Sequence, residues 1–72
     1  MTYLGMEFNN YEELESWSKQ GKIDEYKKLA RMFDKHATME LNNRMCEVAE
    51  ILNKRFGLTW NEIESLEFEA IA

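Results

Sequence analysis

The stretch Cys46–Phe68 constrains the fold of this chain more than any other, because it predicts a helix, a short turn and a second helix. Gly57 lies where the first helix should end, since only glycine adopts the left-handed conformation of a helix C-cap without steric penalty. Leu58 follows the cap at the position from which a side chain packs back on the helix, here on Leu52.

The second helix of this corner has start signals of its own. Thr59 and Glu62 have the T-x-x-E spacing of a capping box. Leu58 and Ile63 have the spacing of a hydrophobic staple, which fixes the angle at which the chain enters a helix. These residues predict a turn at 57–59 and an acidic helix at 60–69.

Upstream of this corner, capping residues and apolar spacing predict further helices. Asn10 is a favourable N-cap, and Gly21 is expected to end the helix that Asn10 begins. An apolar stripe at steps of three and four predicts a second helix over about residues 23–37. Thr38 is expected to start a third helix, although a single bent helix over 24–56 stays open because no Gly or Pro there enforces a break.

Both ends of the chain alternate apolar and other residues, which is the period of a strand. Leu4, Met6 and Phe8 lie on one side of residues 2–8, which we expect to form a short strand or an extended arm over the core. Residues 66–72 alternate as well, and as a strand they would pair with 2–8. An isolated two-stranded ribbon is marginally stable, so a helix that frays is the favoured interpretation of the tail.

These elements predict an all-α fold, a small bundle of three to four short helices with a helix-turn-helix-like corner at 46–68; short terminal strands are the open alternative. The 72 residues suffice for one domain, and 44% apolar with 32% charged residues is typical of a globular chain. The expected parts are an N-terminal arm at 1–9, three helices within 10–56, the turn at 57–59 and the acidic helix at 60–69.

Charge is distributed unevenly along the chain, whose net charge is −5. Residues 1–18 and 57–72 each carry four Glu and no base, whereas residues 19–35 carry six bases and three acids. The acidic surplus opposes general binding to nucleic acids, because phosphates repel carboxylates. We interpret the basic middle as a mixed-charge, solvated face, with binding to a phosphate backbone as the alternative. Its bases are Lys19, Lys22, Lys27, Lys28, Arg31 and Lys35.

The single cysteine and the single histidine do not predict a catalytic or metal site. Cys46 lies beside an apolar stripe, so we expect a small buried side chain rather than a nucleophile, which needs a polar cleft. His36, near a helix end, is expected to interact with the helix dipole in preference to binding a metal with Glu40. We therefore expect that the protein is not an enzyme and that it binds neither a cofactor nor a metal ion. The lone cysteine and the lack of a long apolar run indicate a cytoplasmic protein that does not enter a membrane.

The segment Val48–Leu66 resembles the helix-turn-helix of many small bacterial and phage regulators, in which a glycine-containing turn is flanked by apolar residues of both helices. It covers about a quarter of the chain. The flanking residues here are Leu52, Phe56, Leu58, Ile63 and Leu66 around Gly57. The segment departs from the pattern at Asn53, where such motifs favour a small residue. It departs again in its second helix, which has four Glu and no base for DNA.

The acidic helix predicts a surface for binding another protein. With Ile63 and Leu66 buried, one exposed stripe carries Trp60, Glu64 and Phe68 at i, i+4 and i+8. Asn61 and Glu67 flank this stripe. The predicted partner-binding residues are Trp60, Asn61, Glu64, Glu67 and Phe68. Tryptophan is enriched among binding hot spots, and carboxylates steer a basic partner. The alternative is that Trp60 and Phe68 pack on Phe8 or Trp17 in the core.

The small size, the acidity and the acidic helix make this chain similar in type to phage-encoded inhibitors such as antirepressors and anti-defence proteins. That resemblance implies a protein that binds and occludes the basic, nucleic-acid-binding surface of a regulator or defence protein. One alternative is a helix-turn-helix transcriptional regulator that binds DNA through its basic second helix. Another is an accessory or assembly subunit that self-associates through the aromatic stripe. The oligomeric state stays open.

Overall fold

A computed structural model describes residues 2–72 and confirms the all-α fold class: three helices, preceded by a short β-hairpin, make up this part of the chain. The elements are β1 (Thr2–Tyr3), β2 (Met6–Glu7), α1 (Tyr11–Lys35), α2 (Met39–Lys54) and α3 (Trp60–Ile71). None of these helices combines the length and the apolar character that a membrane span requires.

Helix α1 runs through Gly21 without a break, so the prediction that Gly21 ends the first helix was wrong. An exposed helical glycine costs about 1 kcal/mol relative to alanine, which is too little to end a helix that is anchored on both sides. The Asn10 side chain accepts a hydrogen bond from the Glu13 N–H at 2.9 Å and starts the helix. Tyr26 and Ala30, farther along, are buried in the core. The two helices predicted for this region are therefore one helix of 25 residues.

A break between α1 and α2 excludes the single bent helix over 24–56. His36 is the C-cap of α1, with φ −152° and ψ 86°, so the chain leaves the helical conformation there. The predicted start at Thr38 is confirmed, because its side-chain oxygen accepts a hydrogen bond from the Leu41 N–H at 3.1 Å. A side-chain cap thus makes this break without Gly or Pro.

The corner between α2 and α3 forms as its residues predict. Gly57 has φ +74°, and the Leu58 N–H donates to the Leu52 carbonyl at 3.1 Å. Thr59 and Glu62 form the full capping box, each backbone N–H donating to the other's side chain at 3.1 Å. Asn53 has a role in this turn, because its side-chain amide donates to the Leu58 carbonyl at 2.8 Å.

The chain termini do not pair with each other, so that alternative was wrong. Thr2 pairs with Glu7 and Tyr3 with Met6 in an antiparallel hairpin. Leu4 and Gly5 both have positive φ, as the two-residue turn of a tight hairpin requires. The tail stays helical to Ile71, since α3 packs along its length on α1. Because β1 and β2 pair with each other, their backbone groups do not require the tail as a strand partner.

Helix α1 is the central element of the core. Helices α2 and α3 each pack against α1, but they meet each other little beyond the turn that joins them. Val48 and Leu52 of α2 are fully buried. The buried apolar residues are Phe8, Tyr26, Ala30, Met45, Val48, Ala49, Leu52, Leu58 and Ile63. This arrangement leaves a gap between α2 and α3, with α1 beneath it.

Candidate partner-binding groove

The gap between α2 and α3 is an open groove of about 600 Å³. Helix α2 contributes residues at i, i+3, i+4, i+7 and i+8, and α3 contributes residues at i, i+3, i+4 and i+7. Each wall is therefore one face of a helix, two turns long. The lining residues are Asn42, Met45, Cys46, Ala49 and Glu50 of α2, Trp60, Ile63, Glu64 and Glu67 of α3, and Tyr26 and Phe33 of α1.

The floor of the groove is apolar, and its rim is polar apart from Trp60 and Cys46. Tyr26, Met45, Ala49 and Ile63 are buried members of the core that end at the floor. The rim carries the exposed residues of the same two helix faces, because positions that flank a buried helical stripe point outward. Trp60 lies on this rim with 56% of its surface exposed.

The charges along the groove are all negative. Three of its described lining residues are Glu, and none is Lys, Arg or His. Glu50 is bonded to the Lys54 ammonium at 3.1 Å, whereas no ion pair among residues 2–72 involves Glu64 or Glu67. Burial, followed by the nearby Glu67, Cys46 and Glu64, raises the pKa of Tyr26 above its ordinary value. The groove therefore has a negative potential over an apolar floor.

The four Glu of α3 divide into two structural and two groove residues. The backbone N–H and then the hydroxyl of Thr59 bind the Glu62 carboxylate and hold its pKa below the usual range. Glu69 is paired with the Lys27 ammonium at 3.2 Å. Glu64 and Glu67 lie one turn apart on the side that lines the groove. The adjacent sequence predicts the capping role of Glu62, whereas the packing of α3 on α1 separates Glu69 from Glu64 and Glu67.

The structure brings three of the five predicted partner-binding residues to the groove: Trp60, Glu64 and Glu67. Asn61 and Phe68 are exposed but are not among its described lining residues. Phe68 keeps 61% of its surface exposed. Binding of a partner by these five residues stays a prediction.

The alternative that Trp60 and Phe68 pack on Phe8 or Trp17 was wrong. Both side chains are exposed, whereas Trp17 contacts Phe8 with ring centroids 5.4 Å apart. Tyr3 of the hairpin adds an edge contact to Trp17 at 6.1 Å. Tyr3 of the hairpin and Phe8, which follows it, are thus the aromatic partners of Trp17, and within residues 2–72 no ring contact of Trp17 reaches α3.

The α2 wall of the groove was missed by sequence reasoning. Asn42, Cys46 and Glu50 recur at intervals of four, which would have placed them on one helix face beside the core stripe. The expectation that Cys46 is buried was wrong, because its thiol is free and exposed at the groove. Its stripe neighbours Met45 and Ala49 are buried by α1, but nothing in the described chain fills the groove above Cys46.

The bases of the chain occupy other positions. Lys22 is bonded to Glu25 at 3.4 Å, and Lys27 to Glu69. Lys28, Arg31 and Lys35 are exposed at i, i+3 and i+7 of α1, and we call them the basic face. Helical geometry places this face roughly opposite Tyr26 and Phe33, the groove residues of α1. Acidic groove and basic face are therefore on different sides of the molecule.

The residues weighed for metal binding, His36 and Glu40, lie on different helices. His36 lies at the C-terminus of α1, as predicted, and Glu40 lies in the first turn of α2. Within residues 2–72 no group of three or more His, Cys, Asp or Glu is arranged to hold a metal ion.

Comparison of the chain with known protein families, with characterised proteins and with solved structures found no match.

Proposed function

We propose that this protein is a small acidic inhibitor or modulator that binds another protein and occludes that protein's basic, nucleic-acid-binding surface. A regulator or a defence protein is the target class, as for antirepressors and anti-defence proteins. The observation that supports the proposal most is the groove, where Glu50, Glu64 and Glu67 surround an apolar floor with no base among its described lining residues.

The charge of the groove favours a protein partner over nucleic acid. Carboxylates at Glu64 and Glu67 repel phosphates, and α3 has no base to offset them. Arg and Lys side chains that bind phosphate also bind carboxylates, with short charge-assisted hydrogen bonds. A target that engages the groove through such side chains loses them for DNA or RNA, so binding of this protein and of nucleic acid is mutually exclusive.

Trp60 is the expected energetic centre of the contact. It is a large, exposed aromatic side chain on the groove rim, one turn from Glu64. Tryptophan contributes much binding free energy where it becomes desolvated, while neighbouring charges set the association rate and its salt dependence. Asn61 and Phe68, which lie beside the groove on α3, extend the contact if the target covers the whole helix.

The test is a pull-down from nuclease-treated extract of the source cells, with wild type, Trp60→Ala and Phe68→Ala as baits. We expect wild type to retain a nucleic-acid-binding protein, Trp60→Ala to lose it, and Phe68→Ala to lose less. The purified target is then titrated with its labelled DNA or RNA. Wild-type protein should displace the nucleic acid, and displacement should weaken as salt rises. A target that binds nucleic acid equally well with and without this protein contradicts the proposal.

The basic face supports a second candidate function, direct DNA binding. Lys28, Arg31 and Lys35 are exposed on one side of α1, which fits contact with a phosphate backbone. Duplex DNA is titrated at low salt with wild type and with Lys28→Gln, Arg31→Gln, Lys35→Gln combined. Saturable binding with a steep salt slope that the triple variant loses favours this candidate. Binding that is absent in both proteins rejects it.

A further inference from the structure

We infer that the groove is the seat of one amphipathic α-helix of the partner, with apolar side chains along one face and Lys or Arg at both edges of that face. The inference rests on the proposed function, since it names the element of the target that the groove binds. Three observations carry it: the shape of the groove, the state of its backbone groups and the positions of its charges.

The shape is that of a vacant helix position. Helices α2 and α3 both pack on α1 and diverge from their common turn, so the groove has a helix on each side and a third beneath. Its α2 wall from Asn42 to Glu50 is about 12 Å long at 1.5 Å per residue. A fourth helix seated there would have neighbours on the same pattern as a helix in a four-helix bundle.

The backbone of the groove favours a helix over an extended segment. Its walls and floor belong to α1, α2 and α3, whose N–H and C=O groups are bonded along the helices outside the first turn of α3 at Trp60. An extended peptide would bury backbone groups that find no partner there, at a cost for each group. A helix bonds its own backbone and presents only side chains to the apolar floor.

The charges specify both edges of the incoming helix. Glu50 lies on the α2 wall, and Glu64 and Glu67 lie on the α3 wall, so carboxylates flank the apolar floor on two sides. A helix with apolar residues at i, i+3, i+4 and i+7 and bases beside them matches this pattern on both walls. A base on the α3 edge would pair with Glu64 and Glu67, which have no ion pair among residues 2–72, and a base on the α2 edge would share Glu50 with Lys54.

A second copy of this chain fits the groove less well. The basic face on α1 has Lys28, Arg31 and Lys35, but Met32 is the large exposed apolar side chain beside them. One methionine does not cover a floor formed by Tyr26, Met45, Ala49 and Ile63. The partner helix is therefore expected to belong to another protein.

The experiment uses Cys46 as a local probe, because it is the one cysteine of the chain and its exposed thiol lies on the α2 wall. Full-length protein reacts with a chromogenic disulfide reagent in the presence of synthetic peptides of about 15 residues, long enough to form helix. One set carries basic-edged amphipathic helices that differ in their apolar anchors. One control peptide permutes the same residues so that the apolar face is lost, and another has a central proline.

We expect at least one amphipathic peptide to protect Cys46. At about ten times its Kd the reaction should slow about tenfold, since only the unoccupied fraction reacts. The permuted and proline peptides should leave the rate unchanged. Glu64→Gln combined with Glu67→Gln should raise the Kd of the peptide about tenfold, so the same peptide concentration should slow the reaction only about twofold. Glu7→Gln combined with Glu12→Gln, outside the groove, removes the same charge and should leave protection intact.

Three outcomes overturn the inference. Protection by no amphipathic peptide shows that a helix does not occupy the groove. Equal protection by the permuted peptide shows that charge alone is recognised. Protection that grows with the concentration of the protein itself shows a second copy as the occupant.

Failure of this inference and failure of the proposed function are distinguishable. A captured target that competes with nucleic acid and requires Trp60 keeps the function, even when no peptide protects Cys46. Peptide protection without competition against nucleic acid keeps the helix-binding groove and rejects the occluding role.

Discussion

The two tryptophans of this chain have opposite surroundings. Trp17 contacts Phe8 and Tyr3 and links the N-terminal hairpin to α1. Trp60 is 56% exposed on the rim of an acidic groove. An aromatic side chain that is packed within its own chain stabilises the fold, whereas one left exposed beside carboxylates is available to a partner. The comparison separates a structural region from a binding region within one small domain.

Trp17→Ala should have the largest effect on stability. Trp17 is 37% exposed, so the expected loss in the free energy of unfolding is about 2–3 kcal/mol, below the range for fully buried tryptophan. Urea unfolding followed by circular dichroism measures it. A loss as small as that of an ordinary surface substitution would contradict a structural role for the hairpin contact.

Trp60→Ala should have the reverse profile. Removing an exposed side chain changes the free energy of unfolding by about 0.5 kcal/mol or less. Binding to the captured target should weaken by about 2 kcal/mol, roughly 30-fold in Kd. Calorimetry on the same samples used for unfolding compares the two effects. Equal losses of stability in Trp17→Ala and Trp60→Ala would remove the distinction between the regions.

Thr59→Ala tests whether the start of α3 supports the groove. The substitution removes the acceptor of the Glu62 N–H bond and should cost about 1 kcal/mol of stability. Thr59→Ser keeps the hydroxyl and is the matched control. Both variants are compared by urea unfolding, and an Ala variant as stable as the Ser variant would show that the capping box contributes little.

Acid should destabilise the fold by protonating carboxylates that accept hydrogen bonds in the folded state. The pKa of Glu15 is lowered by its hydrogen bonds from Arg55 and Tyr11, and that of Glu62 by its bonds from Thr59. A carboxyl whose pKa is lower in the folded state stabilises the fold above its unfolded pKa, near 4.5, and the stabilisation is lost as pH falls through the folded value. The urea concentration at the unfolding midpoint should decrease as the pH is lowered below about 4.5. The fall should be smaller in Glu62→Gln, and an identical pH profile would contradict the assignment.

Gly21→Ala should have the smallest effect, and it should be stabilising. Gly21 lies inside α1, and a Cβ there would meet no atom within 4 Å. Alanine should raise the free energy of unfolding by about 0.5–1 kcal/mol, because it restricts the unfolded chain and favours helix. Thermal unfolding measures the gain. A loss instead would show that α1 is interrupted at this position.

Local signals in the sequence determined the α2–α3 corner and the start of each helix. Thr38, Gly57 and the pair Thr59–Glu62 act through bonds to residues within six positions, so their effect is written in the adjacent sequence. The same local reasoning overestimated the tendency of Gly21 to end a helix, because packing of the flanking turns overrides a local propensity of about 1 kcal/mol. The hairpin was predicted only as one strand or an arm, since its turn at Leu4–Gly5 lacks a strong turn sequence.

Helical spacing places Trp60 and Glu64 on one acidic face of α3 without any tertiary contact, because the period of a helix fixes which side chains share a face. The position of Glu64 and Glu67 across a groove from Cys46 and Glu50 is visible in the tertiary structure alone. That meeting depends on α2 and α3 packing on α1 rather than on each other. Helix packing is set by side-chain fit over many residues at once, so no local pattern records it.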